Sequence, residues 1–433
     1  MFKQHIYIAL ILLTSFASCK KEPSEEPSIR ITNFYPHAGP YSTLVTVTGS
    51  GFSNITTDNK LTINGMEAEI QAASPTELRV EVPLGADSGP ISVQVAGKSI
   101  ATSQDIFHYV FTGTVSTFVR RGLVSAPRGL AIDGQGNLLV TNHGGSATIN
   151  KVSPSGNVSL VAGSGVFGYV DGPVATAQFS NLSGIVVNVQ GTIYVSDWGN
   201  HCIRKISPAG VVSTLAGNGT AGYADGTGTA AQFNRPEGLT IDAQGNVLVA
   251  DSYNNRIRLI TPSGVVSTLA GSNVQGGFAD GLASRAQFYW PNGVAVDAAG
   301  TVYVADTGNN RIRKISSTGT VSTLAGTAQC GGTDGATGTA TFNYPTNVAL
   351  NARGKICVAE ANGYRIRLLD PDGFTSTLAG VGNACTSGAS GGYVDGAGST
   401  AQFNSPRGIA FGPAEEIYVA DEGNDSVRKI ILN

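Results

Sequence analysis

The chain has 433 residues, 41% of them hydrophobic and 13% charged, which is long enough for two domains with ample core. A net charge of −3, with lysine and arginine scattered along the sequence, gives no support to an electrostatic nucleic-acid footprint. Glycine is abundant at 57 residues, yet it recurs at fixed turn positions, which excludes a disordered low-complexity chain.

The first segment is read as a processing signal rather than as structure. Lys3 precedes an apolar run from Ile6 to Leu13, followed by Phe16, Ala17, Ser18 and Cys19. This resembles a bacterial lipoprotein signal over residues 1–18, with Cys19 as the lipid acceptor and Phe16 where leucine is usual. An ordinary secretory signal with a chance cysteine is the alternative. Residues 19–28, with Lys20, Lys21, Glu22, Pro23, Glu25 and Glu26, have the composition of a solvated tether. Acidic residues soon after the cysteine resemble export signals of Gram-negative surface lipoproteins. The resemblance implies an outer-membrane lipoprotein, surface-exposed and stably anchored, because that modification adds several acyl chains and one alone holds only marginally.

Residues 29–111 carry short alternating strands between turn residues, such as Thr43–Thr48, Leu61–Ile63, Leu78–Val82 and Ile91–Val95. That pattern predicts a small β-sandwich. The string from Pro36 and Gly39 through Val45-Thr-Val-Thr-Gly-Ser-Gly-Phe52 resembles the IPT/TIG immunoglobulin-like family, whose members serve as spacers or contact modules.

Residues 112–433 hold one unit written six times. The third residues of the copies are Gly129, Gly184, Gly238, Gly293, Asn347 and Gly408, at steps of 55, 54, 55, 54 and 61 residues. A fixed period of this length marks a repeat architecture. In the copy from Pro236 to Gly271, GLTID, GNVLVAD, NRIRLI and VVSTLAG read as four strands joined by Gly- and Pro-containing turns, the pattern of a propeller blade. The sixth copy ends before its VSTLAG strand, and that strand stands instead at Gly113–Val119, ahead of the first copy. The expectation is an all-β chain: an Ig-like sandwich, then a six-bladed propeller closed by the N-terminal strand, which leaves no open sheet edge. Pro291-Asn-Gly-Val-Ala-Val-Asp297, Tyr303-Val-Ala-Asp306 and Asn310-Arg-Ile-Arg313 resemble the NHL-repeat family, whose members include lyases, RNA-binding domains and protein-binding scaffolds.

Overlaying the copies separates scaffold from freely varying positions. Asp197, Asp251, Asp306 and Asp421, with Asn142 and Glu360 in their place elsewhere, end the second strand and are expected to accept backbone N–H groups in the turn that follows. Arg204, Arg258, Arg313, Arg367 and Arg428 recur on the third strand, as if paired within the blade. Tyr169 with Phe179, Phe278 with Phe288 and Tyr393 with Phe403 repeat in the linkers, as inter-blade packing would require. Cys357 reads as a small buried hydrophobe, Cys202 replaces an arginine, and Cys330 and Cys385, in the same loop of consecutive blades, are candidates for a disulfide.

The positions that vary lie on the face carrying the long inter-blade loops. They include Trp198, Tyr253, Trp290 and Tyr344 with Arg128, Arg235 and Arg407, a set suited to stacking on a sugar or anchoring a protein partner. Packing under neighbouring loops is the alternative for the aromatic members. Catalysis has little support: the repeats hold only His143 and His201, too few for the zinc centre of amidating-lyase relatives, and no nucleophile elbow, phosphate loop or Cys/His pair stands out. The expectation is a monomeric, non-catalytic envelope lipoprotein that needs no cofactor or metal and binds a glycan or a protein. A metal-dependent lyase or lactone hydrolase, or a rigid spacer in a surface assembly, are the alternatives.

Overall fold

The computed structural model describes residues 28–272, 275–382, 385 and 391–433. The apolar leader, Cys19 and nearly all of the tether lie outside the described residues. The chain forms two compact units that separate between Phe107 and His108. Among the described residues, no helix is long and apolar enough to cross a membrane.

The first unit is a β-sandwich. Its strands alternate, so that Val45, Val47, Leu61, Ile63, Leu78, Val80, Ile91 and Val93 are fully buried while their neighbours face water. Met66–Ser74 is long enough to serve both sheets, pairing with Asn59–Ile63 at its start and, after a register shift between Ile70 and Ala72, with Glu77–Glu81.

The second unit is a six-bladed ring. In the third blade the order from the axis outward is Pro236–Ile241, Val247–Asp251, Arg256–Ile260 and Val265–Ala270, all antiparallel. The last blade is closed as expected, Gly113–Val119 pairing with Ser426–Leu432 through Thr117 opposite Arg428. Four sheets have a fifth strand that the four-strand reading missed. Gly172–Pro173, Gly226–Thr227, Gly281–Leu282 and Gly396–Ala397 each pair with the outermost strand of the following blade or, for the last, with Gly113–Val119. The linker must travel from the rim of one blade to the axis of the next. On the way its extended backbone covers an edge that would otherwise be open.

The glycines at the third position of each unit have a packing reason. Inner strands of adjacent blades meet there, and a Cβ on Gly184 or Gly238 would lie 2.4 Å from the Glu237 carbonyl or 2.6 Å from the Asn292 carbonyl. Between the blades, Phe179, Phe233, Phe288, Phe342 and Phe403 are buried to 1% exposure or less. The linker tyrosines and Phe278 are not their packing mates in the core. Tyr169, Tyr223, Phe278 and Tyr393 are 37–43% exposed, and the guanidinium of the third-strand arginine lies between the members of each aromatic pair.

Those arginines are fully buried and tied at both ends. Arg313 donates from Nη1 to Asp306 at 2.7 Å and to the Gln287 carbonyl at 3.0 Å, and from Nη2 to Asp280 at 2.5 Å and the Ala279 carbonyl at 2.9 Å. The second-strand acids do not accept backbone N–H groups in the turn after them, contrary to the sequence expectation, although Asp197, Asp251, Asp306 and Asp421 each accept the side-chain amide of that turn's asparagine at 2.8–2.9 Å. One carboxylate oxygen accepts a backbone N–H from the linker 17 residues back, at Ser180, Asn234, Tyr289, Asn343 and Asn404. The turn is an i→i+3 loop whose own carbonyl satisfies its last N–H, as Trp198 does for His201, so the turn's backbone does not draw on the acid. Cys202 and Cys357 are buried free thiols, and a disulfide joins Cys330 to Cys385 with Cα atoms 5.9 Å apart.

Candidate functional site

The inner strand of every blade begins, and the second strand ends, at one mouth of the ring. The residue just before each blade-starting Pro or Leu is held in the left-handed region, with φ of 41° at Ala126, 52° at Asn181, 53° at Arg235, 48° at Trp290, 59° at Tyr344 and 52° at Ser405. Side chains this bulky avoid that region unless the surroundings hold it. Here the N–H is caught by the residue that ends the preceding blade's short turn: Arg235 by His201 Nδ1 at 3.1 Å, Trp290 by Asn255 at 2.9 Å and Tyr344 by Asn310 at 3.0 Å. The clip turns these side chains toward the mouth.

The residue after the proline faces the axis. Arg128, Ser183, Glu237, Asn292, Thr346 and Arg407 together line a space of only about 20 Å³, room for about one water molecule. Glu237 organises this floor, accepting from Arg128 Nη2 at 3.0 Å and from Ser183 Oγ at 2.5 Å. Arg407 pairs with Glu422. A wider axial cavity of about 250 Å³ lies beyond the floor, lined by the inner strands themselves. The mouth is therefore a shallow bowl closed by ion pairs.

His143 belongs to this floor. Its Nδ1 is 3.0 Å from the Leu182 carbonyl, which can only accept, and its Nε2 is 2.6 Å from Arg128 Nη1, which can only donate. The imidazole is therefore neutral with its proton on Nδ1, and burial together with the Arg128 charge pushes its pKa down to about 4. Burial lowers the Arg128 pKa against the pull of Glu237, whereas at Arg407 the carboxylates Glu422 and Glu237 outweigh burial and raise it. Burial also raises the Tyr344 phenol.

The rim is a stacked arc. The Arg235 guanidinium carbon is 4.4 Å from the Trp198 ring and 4.6 Å from the Tyr253 ring. Trp290 continues the arc, 6.2 Å from Tyr253 and 4.4 Å from Tyr289, and His143 meets the other end with its ring 5.5 Å from Trp198. Five of the seven residues singled out from the sequence thus cluster on or beside the arc or its floor as neighbours: Trp198, Tyr253, Trp290, Arg235 and Arg128. Tyr344 and Arg407 sit on the same mouth, coupled to each other electrostatically. Arg128 and Arg407 are already ion-paired. Glu237, His143 and Glu422 were not singled out, although Glu237 stands at the repeat position of Arg128 and Arg407, the signal that places all three on the axis.

The donor set argues about metal as well. Among the described residues, one group of side chains could hold an ion, His108, Asp370 and Asp372, and it lies at the turns remote from the mouth, where Asp370 is already paired with Lys355. No such group occurs at the mouth among the described residues.

With this geometry in place, likeness to known proteins can be read. Residues 29–109 match the IPT/TIG domain, and residues 179–206, 233–258 and 288–315 match the NHL repeat. The chain carries an IPT/TIG domain followed by an NHL-repeat propeller. NHL repeat-containing protein 2 of Bos taurus is 26% identical over 71% of this chain and 46% of its own length. The chain thus spans just under half of that relative. Two solved structures from Bacteroides thetaiotaomicron share the fold over 94% of this chain: a protein of unknown function, 19% identical over 99% of its chain with a TM-score of 0.56, and an auxiliary nutrient binding protein, 16% identical over 98% of its chain with a TM-score of 0.55.

Proposed function

We propose that this chain is a non-catalytic cell-envelope binding protein whose propeller mouth holds a glycan, with a protein partner as the competing ligand. The observation that carries the reading is the arc of Trp198, Arg235, Tyr253 and Trp290 above a floor closed by ion pairs. It offers aromatic and hydrogen-bonding groups without a nucleophile, a free carboxylate pair or a metal-ligand set. Shared architecture with an auxiliary nutrient binding protein supports the same reading. Lipidation at Cys19 and a surface-exposed outer-membrane location complete the proposal and rest on the leader sequence. A glycan array probed with the protein from residue 28 onward tests it. Trp290→Ala combined with Tyr344→Ala is expected to abolish binding with little change in thermal midpoint, and undiminished binding would place the ligand elsewhere.

A further inference from the structure

We infer that the group recognised at the mouth is an anion borne on a sugar, a carboxylate or a sulfate, and that Arg235 receives it. The inference deepens the glycan reading and rests on it.

Arg235 is the one cation among the residues that precede the blades, beside Ala126, Asn181, Trp290, Tyr344 and Ser405. The arginines of the third strands are paired with buried acids, and Arg128 and Arg407 are paired on the floor. Arg235 alone of the mouth arginines has no ion-pair or side-chain hydrogen-bond partner among the described residues. Its two faces are covered by Trp198 and Tyr253. What remains free is the guanidinium edge, a planar fork of N–H donors that matches two oxygens of a carboxylate or sulfate far better than a hydroxyl group.

The fork is also pre-positioned. The Arg235 backbone is locked at φ 53° by the bond from its N–H to His201 Nδ1, so little freedom is left to lose on binding. The neighbouring rings are meanwhile occupied with one another: Trp198 and Tyr253 sandwich the guanidinium, and Trp290 stacks beside Tyr253. A neutral sugar therefore finds less open ring face than the residue count suggests, whereas an anion finds an unsatisfied charge. The Trp198 indole N–H, buried and without an acceptor among the described residues, is a second unsatisfied donor in the same patch.

The chain has two tryptophans, Trp198 and Trp290, both on this rim, so tryptophan emission, excited apart from the 14 tyrosines, originates at this site. The test titrates the purified protein with an oligogalacturonate against its full methyl ester, and with a sulfated galactan oligosaccharide that carries no uronic acid against its desulfated, neutral form. Calorimetry serves as the second readout. The acidic member of at least one pair is expected to bind roughly tenfold or more tighter than its neutral partner, the range of a charge-assisted hydrogen bond. Which pair responds separates carboxylate from sulfate. Arg235→Gln should remove that preference, so that the acidic and neutral members of the pair bind alike, and Arg235→Lys should restore it in part. Neutral partners that bind as tightly as the acids, or a preference that survives in Arg235→Gln, would overturn the inference and leave the glycan reading standing, provided Trp290→Ala with Tyr344→Ala still abolishes binding. No response to any of the four, with a protein partner captured at the mouth instead, would overturn both.

Discussion

Arg313→Met tests whether the repeated arginine holds the blade together. Arg313 is fully buried and lies between Phe278 and Phe288, and its guanidinium makes bonds to Asp306, Asp280 and the carbonyls of Ala279 and Gln287. Methionine keeps most of the volume and removes every one of those donors. Asp306 retains only the Tyr289 N–H at 2.8 Å and the Asn309 amide at 2.9 Å, and it stays buried without its cation. Removing one partner of a buried pair costs about 3–5 kcal/mol because the other charge is stranded, and the carbonyls of Ala279 and Gln287, each left with only the other's N–H, add a smaller loss in the same direction. The carboxylate of Asp280, about half exposed, can be solvated and should add little. Urea unfolding at neutral pH, followed by near-ultraviolet circular dichroism, should show a large drop in midpoint, with Lys314→Met as the surface control expected within about 0.5 kcal/mol of the parent. A loss below about 1 kcal/mol for Arg313→Met would refute the reasoning, since the arginine would then be replaceable packing.

Two further outcomes follow from the ring. His143, with its pKa near 4 in the folded protein against about 6.5 unfolded, binds fewer protons folded than unfolded between those values, so its contribution is complete above pH 6.5 and is lost as pH falls toward 4. The 2.5-unit gap corresponds to about 3 kcal/mol as an upper figure, and the NMR titration of its ring protons should show no midpoint between pH 5.5 and 8; a midpoint near 6.5 would contradict the neutral, doubly bonded imidazole. Gly238→Ala places a methyl group 2.6 Å from the Asn292 carbonyl, so it should destabilise the ring by about 1–3 kcal/mol in the same urea assay, where an unchanged midpoint would mean that the inner strands have room to separate.

The repeat period, the alternation along each strand and the Gly and Pro punctuation are local properties of the chain. They determined the all-β class, the sandwich-then-propeller order, six blades and the strand that closes the ring, because backbone geometry and the need to bury one face act within a few residues of each other. Overlaying the copies likewise marked Arg313 and its equivalents as scaffold before their partners were known. The partners themselves came from ring closure. Asp306 accepts a backbone N–H from Tyr289 in the linker rather than one from the turn beside it, and Gly226 and its counterparts build a fifth strand, because a linker crossing from rim to axis brings distant backbone to the blade edge. Arg128 and Glu237 stand 109 residues apart and meet only where the inner strands converge. For the same reason the sequence could collect Trp198, Arg235, Tyr253 and Trp290 on one face, but not place the guanidinium between two rings with its edge unpaired. Which side chain covers which, and which donor is left over, depends on distances across the axis that no local pattern encodes.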